Sequence, residues 1–520
     1  MNVLGLGGLM DDAACALAVA GRIVAAVEQR KIARQAVPGA LPVEAIEATL
    51  GIAKLKPEQV DVVAIVRPLS ASPDSLLSLR VKQILPAARL LLLDHHTAHA
   101  ASAFYASGFR AATVLTVDRA GDLRCSARWH ASGEKLELDR ESYFPDSIGD
   151  LYGRVTEFLG FRSRADEHKV QWLSAEGKAV YEGVFSELLG FRAGGWPALE
   201  RRYLDRDRMG SGGFSAAFYG ALGLKEGEAP AGQKRADIAA SLQRAVERCV
   251  IEMAGQGENL CLGGGVAFNA MLVEAVEASG RFERVYVQPA AGNAGTALGA
   301  AYVASAGNRA ALESLALGPE YGAEAIKQVL ENCKLSPKFL LTVDELVQSA
   351  LAELAEHRIV AWFQERMEFG PRALGNRSIL ASPMDPYATE NLNSFIKHRE
   401  GFRKFAASVP AERADEYFEW GPNSRNLASV ARVKPEWRER FAPALLGREG
   451  IRLHVVERDV NPLFHRLLVA AGDKTGLPVL YNTSFNLFGD ALVASPRDAV
   501  RSFYSSGIDV MFVGQFLLRK

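Results

Sequence analysis

The chain opens on a short apolar run, Val3 to Gly8, that ends in glycines and passes into the polar Met10-Asp11-Asp12. A second apolar run follows from Ala13 to Ala26, broken at Gly21-Arg22. Short apolar runs split by tight polar turns predict strands that fold back on one another. Apolar spacing of three and four over Leu41 to Ile52 predicts a helix, and the continuous run Val60 to Val66 predicts a buried strand. Much the same plan then recurs. Leu90 to Leu93 leads into DHHTAHAASAFYASGF, whose small residues suit a helix packed closely on a sheet. Next come AATVLTVD, a turn at Arg119-Ala120-Gly121-Asp122, and LRCSARWHAS. In both places an aspartate, Asp12 or Asp118, stands where one strand turns back beside another, which suggests two similarly built halves around one cleft.

Further along, a helix is predicted over Ala236 to Glu252 and a strand running into a glycine loop over Asn259 to Gly265. A helix over Asn269 to Ala278 and a strand at Val285 to Val287 precede PAAGNAGTALGAAYVASAG. The pattern loosens from about Gly307 to Pro337, with one short helix, before a helix at Val343 to Glu356 and a strand at Ile359 to Phe363. Strands alternating with helices predict an α/β protein whose sheets are covered by helices. We expect a first domain over 1–318, a linker over 319–337 and a second domain over 338–520.

A chain of 520 residues exceeds what one core usually covers, which agrees with two domains. Its formal net charge of -1 gives no electrostatic footprint for nucleic acid. No apolar stretch is long enough to suggest a membrane span, and the N-terminus lacks the basic start of a signal peptide and carries Asp11 and Asp12 inside its apolar run. The five cysteines are scattered and form no CxxC pair, so they read as reduced, and a cytoplasmic address is expected.

His95 and His99 are four apart, so on a helix both project from one face and can reach one ion. Such pairs also occur as plain surface residues, and spacing leaves both readings open. His96 points elsewhere. Asp118, at a strand end, is either a carboxylate ligand to the same ion or a turn cap. Gly263-Gly264-Gly265 before a helix can bring backbone N–H groups against an anion, and Gly292-Asn293-Ala294-Gly295 is similar, although tight helix packing explains either stretch equally well. Arg366, Arg372 and Arg377, then Lys397, Arg399 and Arg403, form a dense basic set among turns and apolar residues, pointing to a polyanionic ligand. Asn482 to Asn486 adds hydroxyl and amide groups at a strand end.

Taken together, DHHTAHAASAFY, VLTVD, LCLGGGVAFNA, QPAAGNAGTALGAA, MEFGPRALGNRSILA, IKHREGFRKFAAS and LYNTSFN resemble the O-carbamoyltransferases of antibiotic and nodulation-factor biosynthesis, over nearly the whole chain. The resemblance implies an N-terminal domain of the actin, Hsp70 and sugar-kinase (ASKHA) fold and a C-terminal YrdC-like domain. It implies that carbamoyl phosphate and ATP, with Mg2+, give carbamoyladenylate in the second domain. The carbamoyl group then passes to a hydroxyl of a small natural-product acceptor beside a divalent metal of iron type in the first. The motif positions assign His95, His99 and Asp118 to the metal, and Asp12 to acceptor binding and base function. They assign Arg372, Lys397, Arg403, Arg452 and Ser484 to the adenylate-forming pocket, with Lys397 and Arg403 as catalytic groups, and Gly264, Gly265 and Asn293 to the nucleotide side of the first domain.

Three departures stand out. Asn293 replaces the family's usual fourth metal-ligating aspartate, Arg119 replaces a glycine, and QWLSAEG replaces MGLAPYG. The competing readings are a tRNA threonylcarbamoyl transferase, a small-molecule kinase of the same fold, and a transfer-impaired binding protein. Acceptor specificity is expected in the loops between Phe161 and Lys234, and self-association into a homodimer is common for such a fold.

Overall fold

The computed structural model describes residues 1–67, 75–192, 196–205, 213–305, 307, 309–487 and 489–520. Its first sheet is built from β1 (Asn2–Gly7), β2 (Ala14–Val19), β3 (Arg22–Glu28), β4 (Val62–Val66) and β5 (Arg89–Leu93), in the order β3-β2-β1-β4-β5. The first three strands form antiparallel hairpins, and β4 and β5 add in parallel. The helices α1 (Gln29–Ala33), α2 (Val43–Ala53) and α3 (Ser75–Ile84) connect them, and α4 (His95–Ser107) follows.

A second sheet repeats this plan. It begins with the antiparallel β6 (Ala111–Gly121), β7 (Arg124–Ser132) and β8 (Lys135–Tyr143). The helices α5 (Ile148–Phe158), α6 (Glu167–Ser174) and α7 (Glu182–Leu189) come next, then the small ladder β9 (Phe191–Arg192) and β10 (Trp196–Pro197) and the helices α8 (Ala216–Ala221) and α9 (Gly232–Ala254). Then β11 (Gly257–Gly263), α10 (Ala270–Ala278) and β12 (Phe282–Val287) complete the sheet in the order β8-β7-β6-β11-β12. The helix α11 (Thr296–Ala304) closes this half.

Each half lends its last helix to the other. α11, which follows the second sheet, packs on β1, β2 and β4 of the first, while α4, which follows the first sheet, packs on β6 and β11 of the second. The two helices also pack on each other, so both lie in one alanine-rich core between the sheets. Small residues make this possible. A Cβ on Gly299 would lie 1.8 Å from the Ala98 carbonyl oxygen, and one on Gly5 would lie 2.1 Å from that of Ala297. Any side chain there must push packed backbone apart, a cost of about 1–3 kcal/mol or more.

The C-terminal part carries α12 (Ala323–Asn332), β13 (Lys338–Phe339), α13 (Val343–Ala355), β14 (Val360–Phe363), β15 (Arg377–Ala381) and α14 (Ala388–Asn391). After β16 (Ala406–Pro410) come α15 (Ala414–Tyr417), β17 (Phe418–Glu419), β18 (Val430–Val433), α16 (Arg438–Phe441) and β19 (Gly450–Val456). The chain ends with α17 (Pro462–Thr475), β20 (Leu480–Ser484), α18 (Pro496–Tyr504), β21 (Val510–Val513) and β22 (Phe516–Arg519). One mixed ten-stranded sheet results, in the order β13-β22-β21-β14-β15-β20-β16-β19-β18-β17.

Three local expectations change. The stretch 319–337, expected as a linker, contains α12, whose Ile326 and Leu330 are buried in the C-terminal core because its strongly one-sided apolar pattern needs cover. The turn expected at Arg119–Asp122 comes later: β6 runs through Gly121, and the reversal falls on Asp122 and Leu123, both at positive φ. Asn482 to Ser484 lie inside β20 rather than after it. Residues 193–195 and 206–212, within the loops expected to choose the acceptor, lie outside the described residues.

Candidate functional site

Asp94 starts α4 by accepting the Thr97 backbone N–H at 2.9 Å, and one helical turn then sets His95 and His99 on the face toward β6. Their Nε2 atoms are 3.0 Å apart, and Asp118 Oδ2 lies 2.8 Å from His95 Nε2 and 3.2 Å from His99 Nε2. Burial alone would raise the Asp118 carboxyl, but hydrogen bonds and charge from the two imidazoles hold it well below the usual carboxylate range. Burial, then His95, lowers the His99 imidazole. Two neutral-capable nitrogens and one carboxylate oxygen therefore converge.

Ligands about 2.1 Å from an ion at right angles to one another lie about 3.0 Å apart, which is the spacing seen here. The donor set matches a facial two-histidine, one-carboxylate site for a divalent transition metal. His96 is spent otherwise: its ring nitrogens reach Thr116 Oγ1 at 2.8 Å and the Arg124 carbonyl at 3.0 Å, and burial lowers its pKa to about 3.

The loop after β11 abuts this cluster. A Cβ on Gly265 would sit 3.1 Å from Asp118 Oδ1, and one on Gly264, at φ +89°, would strike the Val117 carbonyl at 2.3 Å. Gly264 donates its N–H to the Ala291 carbonyl at 2.9 Å, so that amide is not free for an anion, and close packing accounts for this glycine. Asn293 Nδ2 donates to Asp11 Oδ2 at 3.2 Å, fastening the 8–12 loop to the turn before α11. Asp12 keeps solvent access, yet the protein packed around it, then Asp11, raise its carboxyl against the opposing pull of Arg30 and Lys31. Arg119 donates its backbone N–H to Asp118 at 2.7 Å and pairs with Asp150 at 2.9 Å.

The second cluster lies where the C-terminal sheet meets α6. Lys397 closes a π-helical turn, Leu392–Lys397, and donates to the Ser484 carbonyl at 2.5 Å, the Asn486 carbonyl at 3.0 Å and Asn486 Oδ1 at 2.8 Å. Ser484 Oγ donates to the same Asn486 Oδ1 at 2.7 Å. Burial, then Arg399 and Arg403, drives the Lys397 ammonium well below its ordinary pKa. Burial brings Arg372 down to about 10 and, with Arg403, Arg399 to about 9; burial with Arg372, Arg399 and Arg403 lowers Arg452 well below the usual guanidinium range. Among the described residues no carboxylate lies within ion-pair distance of Arg372, Arg399 or Arg452, while Arg403 has Glu400 at 3.7 Å. So many unpaired, half-buried cations are costly unless an anion completes them.

The N-terminal half covers this cluster. Lys169 pairs with Glu400 at 2.9 Å, Arg452 lies over the Trp172 ring, and His168 is lowered to about 3 by burial and then by Arg403 and Arg372. Arg372 Nη2 donates to the Phe268 carbonyl at 3.3 Å, at the end of the same loop whose Gly265 touches Asp118. The two clusters are thus joined by residues 264–268. The surface cavity lined by Leu351, Leu354 and Lys474 holds none of these groups.

Sequence reasoning erred on two cations. Arg366 donates to the Val24, Leu317 and Gly318 carbonyls, and the fully buried Arg377 to those of Gln364, Glu365, Asn376 and Pro319 while stacked on Phe363. Both are structural cross-ties, not ligand groups. It gave no role to His168 and Lys169, whose place shows only once α6 is docked on the C-terminal sheet, while Asn486 belongs to the polar stretch it did single out.

A repeated α/β plan with a His-His-Asp cluster, and a C-terminal α/β part that gathers cations where it meets α6, fit a group-transfer enzyme. Residues 73–302 match the model for the carbamoyltransferase N-terminus and residues 351–520 that for the carbamoyltransferase C-terminus, and the chain belongs to this family of transferases. An uncharacterized protein of Synechocystis sp. is 32% identical, covering 100% of this chain and 97% of its own. Nodulation protein NolNO of Sinorhizobium fredii is 32% identical over 98% of this chain and 79% of its own, and nodulation protein NolO of Bradyrhizobium diazoefficiens is 35% identical over 82% and 79%. Solved structures are distant: T. kodakarensis HypF is 17% identical, covering 58% of this chain and 47% of its own at a TM-score of 0.36. No helix among the described residues is long and apolar enough to cross a membrane.

Proposed function

We propose that this carbamoyltransferase forms carbamoyladenylate at the basic cluster of residues 338–520, which we read as a YrdC-like domain. It then delivers the carbamoyl group to an acceptor hydroxyl at the His95, His99 and Asp118 cluster of residues 1–318, read as an ASKHA-type domain. The observation that carries the reading is the gathering of Lys397, Ser484 and Asn486 beside Arg372, Arg399 and Arg452, which have no carboxylate within ion-pair distance among the described residues. Such a set suits the crowded phosphates of ATP and carbamoyl phosphate. Atom balance requires one water: carbamoyl phosphate releases orthophosphate, and the carbamate oxygen displaces pyrophosphate from the α-phosphate of ATP. Arg372, Arg403 and Arg452 neutralise the phosphates as they approach, and Lys397 holds the strand end that carries Ser484.

In the transfer step the acceptor oxygen bonds to the carbamoyl carbon and AMP leaves. Asp12, whose raised pKa suits a proton acceptor, takes the hydroxyl proton. His95, His99 and Asp118 would hold a divalent ion, which would supply Lewis-acid polarisation of the carbamoyl carbonyl. The acceptor class is a small-molecule alcohol, and the facial donor set favours Fe2+.

The test needs no acceptor: pyrophosphate release and carbamoyladenylate formation from ATP and carbamoyl phosphate, with and without ferrous ion, for wild type and Lys397→Ala. Product from wild type that vanishes in the variant supports adenylate formation. A silent wild type under both conditions sinks it.

A further inference from the structure

Arg372 owes its position to the N-terminal half. Two residues before it stands Gly370, at φ +97°, where a side chain would press on Ala290 at 3.3 Å. The Gly370 carbonyl accepts from Lys31 Nζ at 2.6 Å, and the same ammonium donates to the Glu368 carbonyl at 3.0 Å. Lys31 is paired with Glu28, both side chains nearly buried at 8% and 14% exposure, and the Gly370 N–H faces the Glu28 carboxylate. The loop so gripped is internally rigid: Glu368 Oε1 accepts from the backbone N–H groups of Leu374 at 2.8 Å, Asn376 at 2.9 Å and Arg377 at 3.1 Å. Holding Glu368 and Gly370 therefore holds the whole 368–377 loop, and Arg372 with it.

The neighbours of this pair tie it to the other site. Lys31 and Arg30 act on Asp12, and Asp12 acts on Glu28. Arg30 reaches the Gly489 carbonyl, and Arg34 reaches Asp498 and the Ala491 and Leu492 carbonyls, so the short helix α1 is stapled to the C-terminal part along its length. A buried ion pair used only for stability would be poorly chosen, since apolar residues of the same volume do as well or better. An ion pair that grips two carbonyls of one loop fixes a geometry instead.

We infer that Glu28 and Lys31 are a positioning pair for the adenylate-forming step, acting through Arg372, so that the N-terminal half sets the competence of the C-terminal site. This rests on the reading proposed above. The test is acceptor-free pyrophosphate release by the full chain, comparing wild type, Lys31→Met/Glu28→Gln, Arg372→Lys and all three changes together. The double variant leaves no lone buried charge.

The double variant is expected to lose about tenfold or more in kcat/KM while retaining metal at the His95, His99 and Asp118 cluster. The triple variant is expected to be no worse than Arg372→Lys, because groups acting through one residue are not additive. An unchanged rate in the double variant, or losses that multiply in the triple, overturns the inference. Should the double variant not fold, Lys31→Gln, which keeps one amide donor, is expected to fall below wild type, and equality with it overturns the inference equally. A wild type that releases no pyrophosphate instead sinks the functional reading, so the two failures are distinct.

Discussion

Removing a cation from the junction should make the resting protein more stable and abolish its response to a polyanion, and Arg372→Met is the variant that shows both. Arg372 has no carboxylate in ion-pair range among the described residues, and its guanidinium donates to the Phe268 carbonyl at a long 3.3 Å. Burial drops its pKa from the usual guanidinium value to about 10. That drop corresponds to roughly 3 kcal/mol at about 1.4 kcal/mol per unit. Against it stands the lost hydrogen bond from a charged donor, about 1.5 kcal/mol. The net expectation is a gain of about 1–2 kcal/mol, within the range found when buried charges give way to apolar residues.

Thermal melting at low ionic strength, with and without pyrophosphate, reads both effects. Wild type should melt below Arg372→Met without the anion and gain about 2.7 kcal/mol from a hundredfold excess over Kd, whereas the variant gains far less. Added salt should narrow the gap by screening the cations. A variant that melts lower than wild type in the absence of anion, or one that takes the same stabilisation from pyrophosphate, would refute the account of an uncompensated cluster.

His99→Ala should lose bound divalent metal, measured by elemental analysis after gel filtration, while acceptor-free pyrophosphate release persists. Asn293→Asp should tighten metal retention about tenfold or more against a chelator by adding a charged oxygen, and should lower the melting temperature of the metal-free protein because it faces Asp11 across the present 3.2 Å hydrogen bond. Glu247, raised to about 7 chiefly by burial, is protonated more readily in the folded than in the unfolded chain. It therefore contributes stability that is full below about pH 4.5 and is lost as pH rises through about 7. Glu247→Gln is expected to be more stable than wild type at pH 8 by about 1–3 kcal/mol, with the advantage gone below pH 4.5, as denaturant titration at the two pH values would record.

Local signals carried much of this fold. The hairpin at the N-terminus follows from apolar runs broken at Gly8 and Gly21, and the convergence of His95 and His99 from helical periodicity alone. Asp118 was left between ligand and turn cap, and the structure sets it inside β6, within hydrogen-bond reach of both histidines. Long-range placement was not legible. Beyond its local partner Glu28, Lys31 meets the Glu368 and Gly370 carbonyls more than three hundred residues away, and nothing in the sequence near it indicates them. Arg366 and Arg377 look like Arg372 in composition, and only the carbonyls that surround them separate a cross-tie from a ligand group. The reversal at Asp122 and Leu123 was misplaced because leucine at positive φ contradicts every turn preference. Buried nearly all round, α4 and α11 have too little amphipathic contrast to say which sheet each covers.

The exchange of those two helices has a consequence for the growing chain. As synthesis proceeds, the second sheet finds its covering helix already made, since α4 precedes β6. The first sheet is complete at Leu93, but the helix that seals its inner face begins only at Thr296. At about 5–20 residues per second, the roughly 200 intervening residues leave Val3, Ala16, Val62 and Ala64 facing solvent for on the order of 10–40 s. A nascent chain in that interval displays an apolar sheet with no native cover, and holding it apart from its neighbours until α11 emerges becomes a task for the cell rather than for the sequence.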